Sequence, residues 1–173
     1  MSTTEFSSVQ PKVSAEDQTG NSAIDVEGLA DLAAGVLVAE GVGFGHLDIF
    51  FVSADTIAEL NSEHMESSGP TDVLAFPMDA PQLVGPTSNV QVPKLEGVDV
   101  HLGDIVICYE VAAKQAPHHA GTIQAELSLL VIHGVLHILG HDHAVEDERV
   151  LMQSRERLHL HGLGFDHPED GRS

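Results

Sequence analysis

Three histidines crowd into one short segment, HGVLHILGHDH, running from His133 to His143. His133 and His137 are four residues apart, so on a helix both imidazoles project from one face. Two nitrogens placed in this way can share one ion. Gly140 stands where that helix should stop, because glycine takes a left-handed conformation at little cost. The turn predicts that His143 swings back over the same face as a third ligand. Three protein ligands leave a fourth position for water, the mark of a catalytic rather than a closed structural site. Imidazole donors suit zinc, with nickel, copper or iron as substitutes in vitro. The expectation is therefore one zinc ion per chain on His133, His137 and His143. The chain holds 12 histidines in 173 residues. At that density a chance triplet with these two offsets is expected about 0.06 times, so the motif stands above background.

An ion held in this way would lower the pKa of a bound water toward about 7 and polarise a phosphate oxygen, which makes hydrolysis the implied reaction. No general base is obvious. Asp142, next to the third ligand, is a candidate to orient an imidazole or a water; its plainer role is to stabilise the turn. Glu126, seven residues before His133 and on the same helix face, is a candidate partner behind the ligands, or else a buried or surface residue. His137 doubles as a proton shuttle only if it leaves the metal. The candidate catalytic set is thus His133, His137 and Asp142. The H-x3-H-x5-H skeleton with its glycine also occurs in metzincin proteases, where a glutamate after the first histidine is the base. Here that position is Gly134, so a zinc metalloprotease would lack its base.

The elements that must position these residues are legible in outline. Thr122 caps a long apolar helix reaching Leu139. An acidic amphipathic helix follows over roughly Val145 to His161, its Glu146-Asp147-Glu148 start suiting the helix dipole. Upstream, Ile24 to Glu40 has helical spacing, capped by Asp25 and ended by Gly41 and Gly43. His46 to Ser53 reads as a strand, and Ser53 or Asp55 opens a short helix through Ile57, Leu60 and His64. Asp72 to Phe76 and Asp104 to Cys108 are buried-type strands, and Tyr109 to Gln115 a short helix. Asp79 to His101 is rich in Pro, Gly and Val, a long loop or poorly formed hairpin. Ser8 to Val13 offers one further short strand, which Pro11 confines to a sheet edge. The sum is an α+β domain: a small mixed four-stranded sheet packed with about five helices, the metal site at the end of a buried helix. The divisions read as a polar N-terminal tail with a possible edge strand at 1–21, one metallohydrolase domain at 22–167, and a C-terminal tail at 168–173.

Composition narrows the setting. The chain has 27 acidic and 7 basic residues, a formal net charge of -20. That charge repels nucleic acid at long range and leaves few Lys or Arg to neutralise phosphates. No apolar run is long enough for a membrane span, and Met1 to Asn21 has no signal-peptide core, so a cytoplasmic protein without a membrane partner is expected. The one cysteine, Cys108, sits in an apolar run and reads as a small core residue. The pairs His118-His119 and His159/His161 read as surface residues without function.

Three segments together carry a family resemblance. HGVLHILGHDH is similar to the HGxLHLxGYDH signature of the YbeY family of metal-dependent endoribonucleases and rRNA maturation factors. LNSEHMESSGPTDVLAFP (Leu60 to Pro77) resembles that family's LNxxYRxxxxPTDVLSFP, and GDIVIC (Gly103 to Cys108) its GDIVIS. Order and spacing agree, and the resemblance covers roughly Ile24 to Phe165. It implies His133, His137 and His143 as zinc ligands, a small α+β fold, and cleavage of single-stranded RNA. It further implies roles in small-subunit (16S) rRNA 3′-end maturation and ribosome quality control, with the small ribosomal subunit as a partner. A non-catalytic, metal-stabilised ribosome-assembly factor is the other reading. Two positions depart from the pattern. Met65 replaces an arginine implicated in substrate or charge stabilisation, and losing a cation there costs electrostatic stabilisation; Lys94 and Lys114 are the candidate substitutes. His141 stands where tyrosine is usual, as a substrate contact, an alternate ligand or a surface residue. Pro70-Thr71-Asp72 is a candidate cleft segment or simply a turn that starts a strand.

Overall fold

The computed structural model describes residues 10–78 and 100–170. Its elements run β1 (Lys12–Asp17), α1 (Val26–Ala39), β2 (His46–Val52), α2 (Ala54–His64), β3 (Val73–Pro77), β4 (His101–Cys108), α3 (Tyr109–Gln115), a 3-10 turn (Ala116–His118), α4 (Ile123–Ile138) and α5 (Glu146–Gly162). The four strands form one sheet in the order β1-β2-β4-β3. β1 with β2 and β2 with β4 are parallel, and β3 with β4 is antiparallel. The sheet is therefore mixed, as the sequence predicts, and five α-helices surround it among the described residues.

Local chemistry sets the helix starts. Asp25 accepts from the Gly28 amide at 3.0 Å, Ser53 from the Thr56 amide at 3.2 Å, and Thr122 from the Ala125 amide at 3.2 Å. Each cap satisfies an N–H that the first turn leaves without a helical partner. Of the two residues proposed to open α2, Ser53 is the cap.

Alternation along β2 decides which face is core. Leu47, Ile49 and Phe51 are fully buried, while His46, Asp48 and Phe50 face the other way and are only half-buried. The first set joins Ile105 and Ile107 of β4 and packs against α1 and α4 in the main core. Val52, Leu74, Val106 and Cys108 lie with Ile57 of α2 in a smaller cluster on the opposite face. Cys108 is a buried free thiol, as expected. α4 is the central helix: Leu129, Leu130, Val131, Ile132, Val135, Leu136 and Ile138 are all buried. Each contributes about 1.5–3 kcal/mol by leaving water, which holds a β-branched segment helical against its modest propensity.

The N-terminal strand is displaced from its expected place. It runs from Lys12 to Asp17 rather than Ser8 to Val13, with Pro11 just outside it. Pro11 has no N–H to give; the first ladder bond there is Lys12 N–H to the Gly45 carbonyl at 2.9 Å. β1 is an edge strand, and the sheet begins ahead of residue 22, where the sequence suggests the domain starts. At the other end, Asp170 accepts from Arg157 at 2.6 Å, so residues 168–170 dock on α5. β4 begins at His101, three residues earlier than expected. Residues 79–99 of the Asp79–His101 segment, including Lys94, lie outside the described residues.

Candidate metal centre

The helix α4 ends as its sequence dictates. The Gly140 N–H donates to the His137 carbonyl and the His141 N–H to the Leu136 carbonyl, both at 3.0 Å. Gly140 has φ +96°. This paired reverse bond with a left-handed glycine closes the helix and turns the chain back. Asp142 then accepts the backbone N–H of His143 at 2.7 Å, the turn role foreseen for it. His133, His137 and His143 come together: each offers a ring nitrogen, and these all lie within 4.8 Å of one another.

Distances within the trio suit an ion. His133 Nε2 and His137 Nε2 are 3.1 Å apart. Two nitrogens at that separation, each about 2.05 Å from one ion, subtend an angle of about 98°, near the tetrahedral range. Burial, and then the neighbouring His133 and His143, lower the His137 pKa to about 4. Its ring is thus neutral at pH 7, the form a metal requires.

A carboxylate holds the first histidine of the trio from behind. His133 Nδ1 donates to Glu156 Oε1 at 2.6 Å, and His167 Nε2 donates to Glu156 Oε2 at 2.8 Å. The Glu169 N–H donates to His167 Nδ1 at 3.2 Å, which fixes the His167 proton on Nε2. With Nδ1 of His133 committed as a donor, its Nε2 lone pair is free to face an ion. Burial of Glu156 raises its pKa, but the bonds from His133 and His167 outweigh this and hold it at about 2. Glu156 therefore stays charged behind His133.

Of the roles considered for Glu126, the buried one holds rather than a place behind the trio. It is fully buried and accepts from Gln115 at 2.7 Å, His119 Nδ1 at 2.9 Å and the Ala120 amide at 3.1 Å, without touching the trio. Gln115 Nε2 also donates to Asp72 Oδ2 at 2.6 Å, so one amide bridges two carboxylates. Asp72 Oδ1 accepts the Val73 N–H at 2.8 Å, and Asn61, itself buried, donates to the Gly69 carbonyl at 3.0 Å. The Pro70–Asp72 segment is thus a pinned turn, and Asp72 also lines a cleft.

That cleft, of about 280 Å³, opens beside the trio and is lined by Asp72, His119, His133, His143, Arg149 and Glu156 among others. Arg149 is the one Lys or Arg along its described wall. Neither Lys114, which is exposed on α3, nor Met65, at the end of α2, lines it. Arg155 is bound to the buried Glu40, and Arg157 to Asp170.

Several histidines differ from their surface reading. His141 is buried, with Nε2 lacking a hydrogen-bond partner, and burial lowers its pKa. His159 is nearly buried and donates to Glu40 at 2.7 Å. His119 lines the cleft. Sequence reasoning passed over Glu156 and His167 because neither lies near the histidine motif. The signal available was a glutamate at an inward position of α5.

The metzincin comparison fails on packing. A Cβ on Gly134 would lie 2.9–3.2 Å from Ile105 side-chain carbons. α4 is pressed against β4 at this point, and a glutamate there would face the sheet core.

A family model described as Endoribonuclease YbeY matches residues 14–164. The chain belongs to the YbeY family. An Endoribonuclease YbeY of Salinispora tropica is 43% identical over 138 residues, covering 78% of this chain and 86% of the relative. One from Thermobifida fusca is 41% identical over 141 residues, covering 80% and 85%. The solution structure of TM1509 from Thermotoga maritima superposes with a TM-score of 0.55 at 26% identity, covering 87% of this chain and 86% of that one. The histidine trio lies within the span that the YbeY model matches, as do most residues of the cleft, while His167 and Glu169 lie just beyond it.

Proposed function

We propose that the protein is a zinc-dependent endoribonuclease that cuts single-stranded RNA, and that it acts in the cytoplasm on 16S rRNA 3′ ends within or beside the small ribosomal subunit. The observation that carries this reading is the imidazole trio on the wall of an open cleft, with Glu156 anchored behind His133. Family membership supports the reaction class, since the matched relatives are named endoribonucleases.

His133, His137 and His143 would hold the ion, and imidazole donors favour zinc. Bound there, zinc supplies an activated water and charge stabilisation on phosphorus. The chain's own residues do the rest. Glu156 fixes the ring of His133. Asp142, through the His143 amide, sets the third ligand's backbone. Arg149 reaches the cleft from the first turns of α5 and offers a fork for a phosphate. Its present partner, Glu146, is well exposed, so the pairing is weak and exchangeable. In this role Arg149 takes the place of the arginine that Met65 replaces. A chain of net charge -20 needs such a local cation to bring RNA to the site.

The deciding experiment incubates zinc-loaded protein with single-stranded RNA, duplex RNA and casein. Chelator-sensitive cutting of the single strand, lost in His137→Ala, is the expected result. Casein cleavage alone would assign a protease, and no cleavage of any substrate would leave an assembly factor. Depletion in cells, read by the accumulation of unprocessed 16S rRNA 3′ ends, tests the ribosomal role.

A further inference from the structure

We propose that His46, Asp48 and His101 form a second metal site, taking one divalent transition ion on the sheet face opposite α4. The three side chains each offer one donor atom, all within 4.8 Å of one another. Asp48 Oδ2 is 3.4 Å from His101 Nε2 and 3.9 Å from His46 Nε2. Donors about 2.1 Å from one tetrahedral ion stand about 3.4 Å apart, so both histidine–aspartate spacings are close to what an ion needs. Asp104 Oδ1, 2.8 Å from the same His101 nitrogen, adds a second carboxylate beside the three.

The backbone assembles this cluster by a specific device. Residues three apart on a regular strand point to opposite faces, so His101 and Asp104 should not meet. They do because β4 carries a bulge: His46 pairs with His101, but the next residue, Leu47, pairs with Gly103. Leu102 is the extra residue and is buried in the main core. The bulge turns His101 onto the face of Asp48 and Asp104, which are themselves paired in register. Bulges in parallel pairs are rare and re-aim side chains at functional positions. Gly103 makes it possible, with φ +153° and no space for a Cβ, which would lie 2.5 Å from Ile138 Cδ1 and 2.6 Å from the Phe76 carbonyl oxygen.

Charge and chemistry indicate the ligand class. Asp48 within the cluster and Asp104 beside it put carboxylate oxygens around the two imidazoles, an arrangement that favours a cation. The mixed nitrogen and oxygen donors favour zinc, nickel or copper over magnesium or calcium. The His46 and His101 rings are stacked 4.6 Å apart and within 8° of parallel, so one ring must turn to aim its lone pair. The turn is about χ2, a broad torsion in histidine, and side chains 30% exposed have room for it. Leu47, Ile49 and Ile105 point the other way, toward α4, so this ion and the one proposed on the His133 trio would sit on opposite sides of the sheet.

The test counts ions. Metal-stripped full-length protein is titrated with zinc chloride, and bound zinc per chain is measured after gel filtration. Wild type is expected to bind two, and His101→Ala, Asp48→Asn and His137→Ala one each, with none in the His101→Ala/His137→Ala double variant. Cobalt substitution should show a second tetrahedral absorption band that Asp48→Asn abolishes. Asp48→Asn is nearly isosteric and decides the matter if His101→Ala fails to fold. If the folded Asp48→Asn protein binds as much zinc as wild type, the second site does not exist. Undiminished zinc in His137→Ala alone would instead count against the His133 trio, whatever the result at the sheet.

Discussion

Glu156 Oε1 lies 2.6 Å from His133 Nδ1, so a carboxylate on α5 sets the tautomer of a histidine on α4. Partners of this kind commonly change metal affinity 10–100-fold when removed. Glu156→Gln keeps the size but loses the charge and can present an N–H to the ring. Zinc affinity, measured by chelator competition, should fall by about one to two orders of magnitude while the circular dichroism spectrum is retained. Unchanged affinity would mean that the pair is structural only.

Histidine burial predicts how metal-stripped protein responds to acid. His137 has a folded pKa of about 4, below its ordinary value near 6.5. The unfolded chain therefore takes up a proton at this residue before the folded one does. Its contribution to stability is full above pH 6.5 and is lost as pH falls from 6.5 toward 4. Glu156, held at about 2, adds a loss only below its ordinary value of 4.5. The melting temperature should thus decline between pH 6.5 and 4.5, and His137→Gln should flatten that decline. An identical slope in the variant would contradict the assignment.

Removing the cleft's cation separates substrate binding from metal binding. Arg149→Met keeps an apolar stem and discards the guanidinium. A hydrogen bond to a charged group contributes about 1.5–3 kcal/mol, so single-stranded RNA binding should weaken by about tenfold to a hundredfold. Zinc content should not change. Fluorescence anisotropy with a labelled oligonucleotide, alongside metal analysis, reads both. Equal affinity in the variant would return the search for a phosphate partner to other residues.

His141 carries a buried nitrogen without a partner, a cost of about 1–3 kcal/mol. His141→Phe removes the stranded group while keeping a flat ring. The melting temperature should rise by a few degrees. A fall would show that His141 has a polar role, and metal analysis of the same variant would locate it.

The sequence discloses those parts of the site whose geometry is local. His133 and His137 share a face because four residues make a helical turn, and Gly140 reverses the chain because few other residues take φ +96°. Thr122, Asp25 and Ser53 announce helix starts through contacts three residues long. What the sequence hides is set by pairing between distant segments. Glu156 meets His133 only once α5 has packed on α4. His101 meets Asp104 only through a register shift against β2. His159 looks like a polar surface residue until Glu40, at the end of α1, is seen to receive it. The sequence places β1 too early because Pro11 is tolerable within an edge strand, whereas the ladder begins one residue later with an amide able to donate.

His167, in the turn after α5, donates to the same carboxylate that steadies His133. The turn at residues 167–170 is thereby linked to the histidine trio through a single shared carboxylate. Any change that pulls on this turn would be felt at the His133 ring, so a substitution as far along the chain as residues 167–170 acts on the trio as well as on the fold.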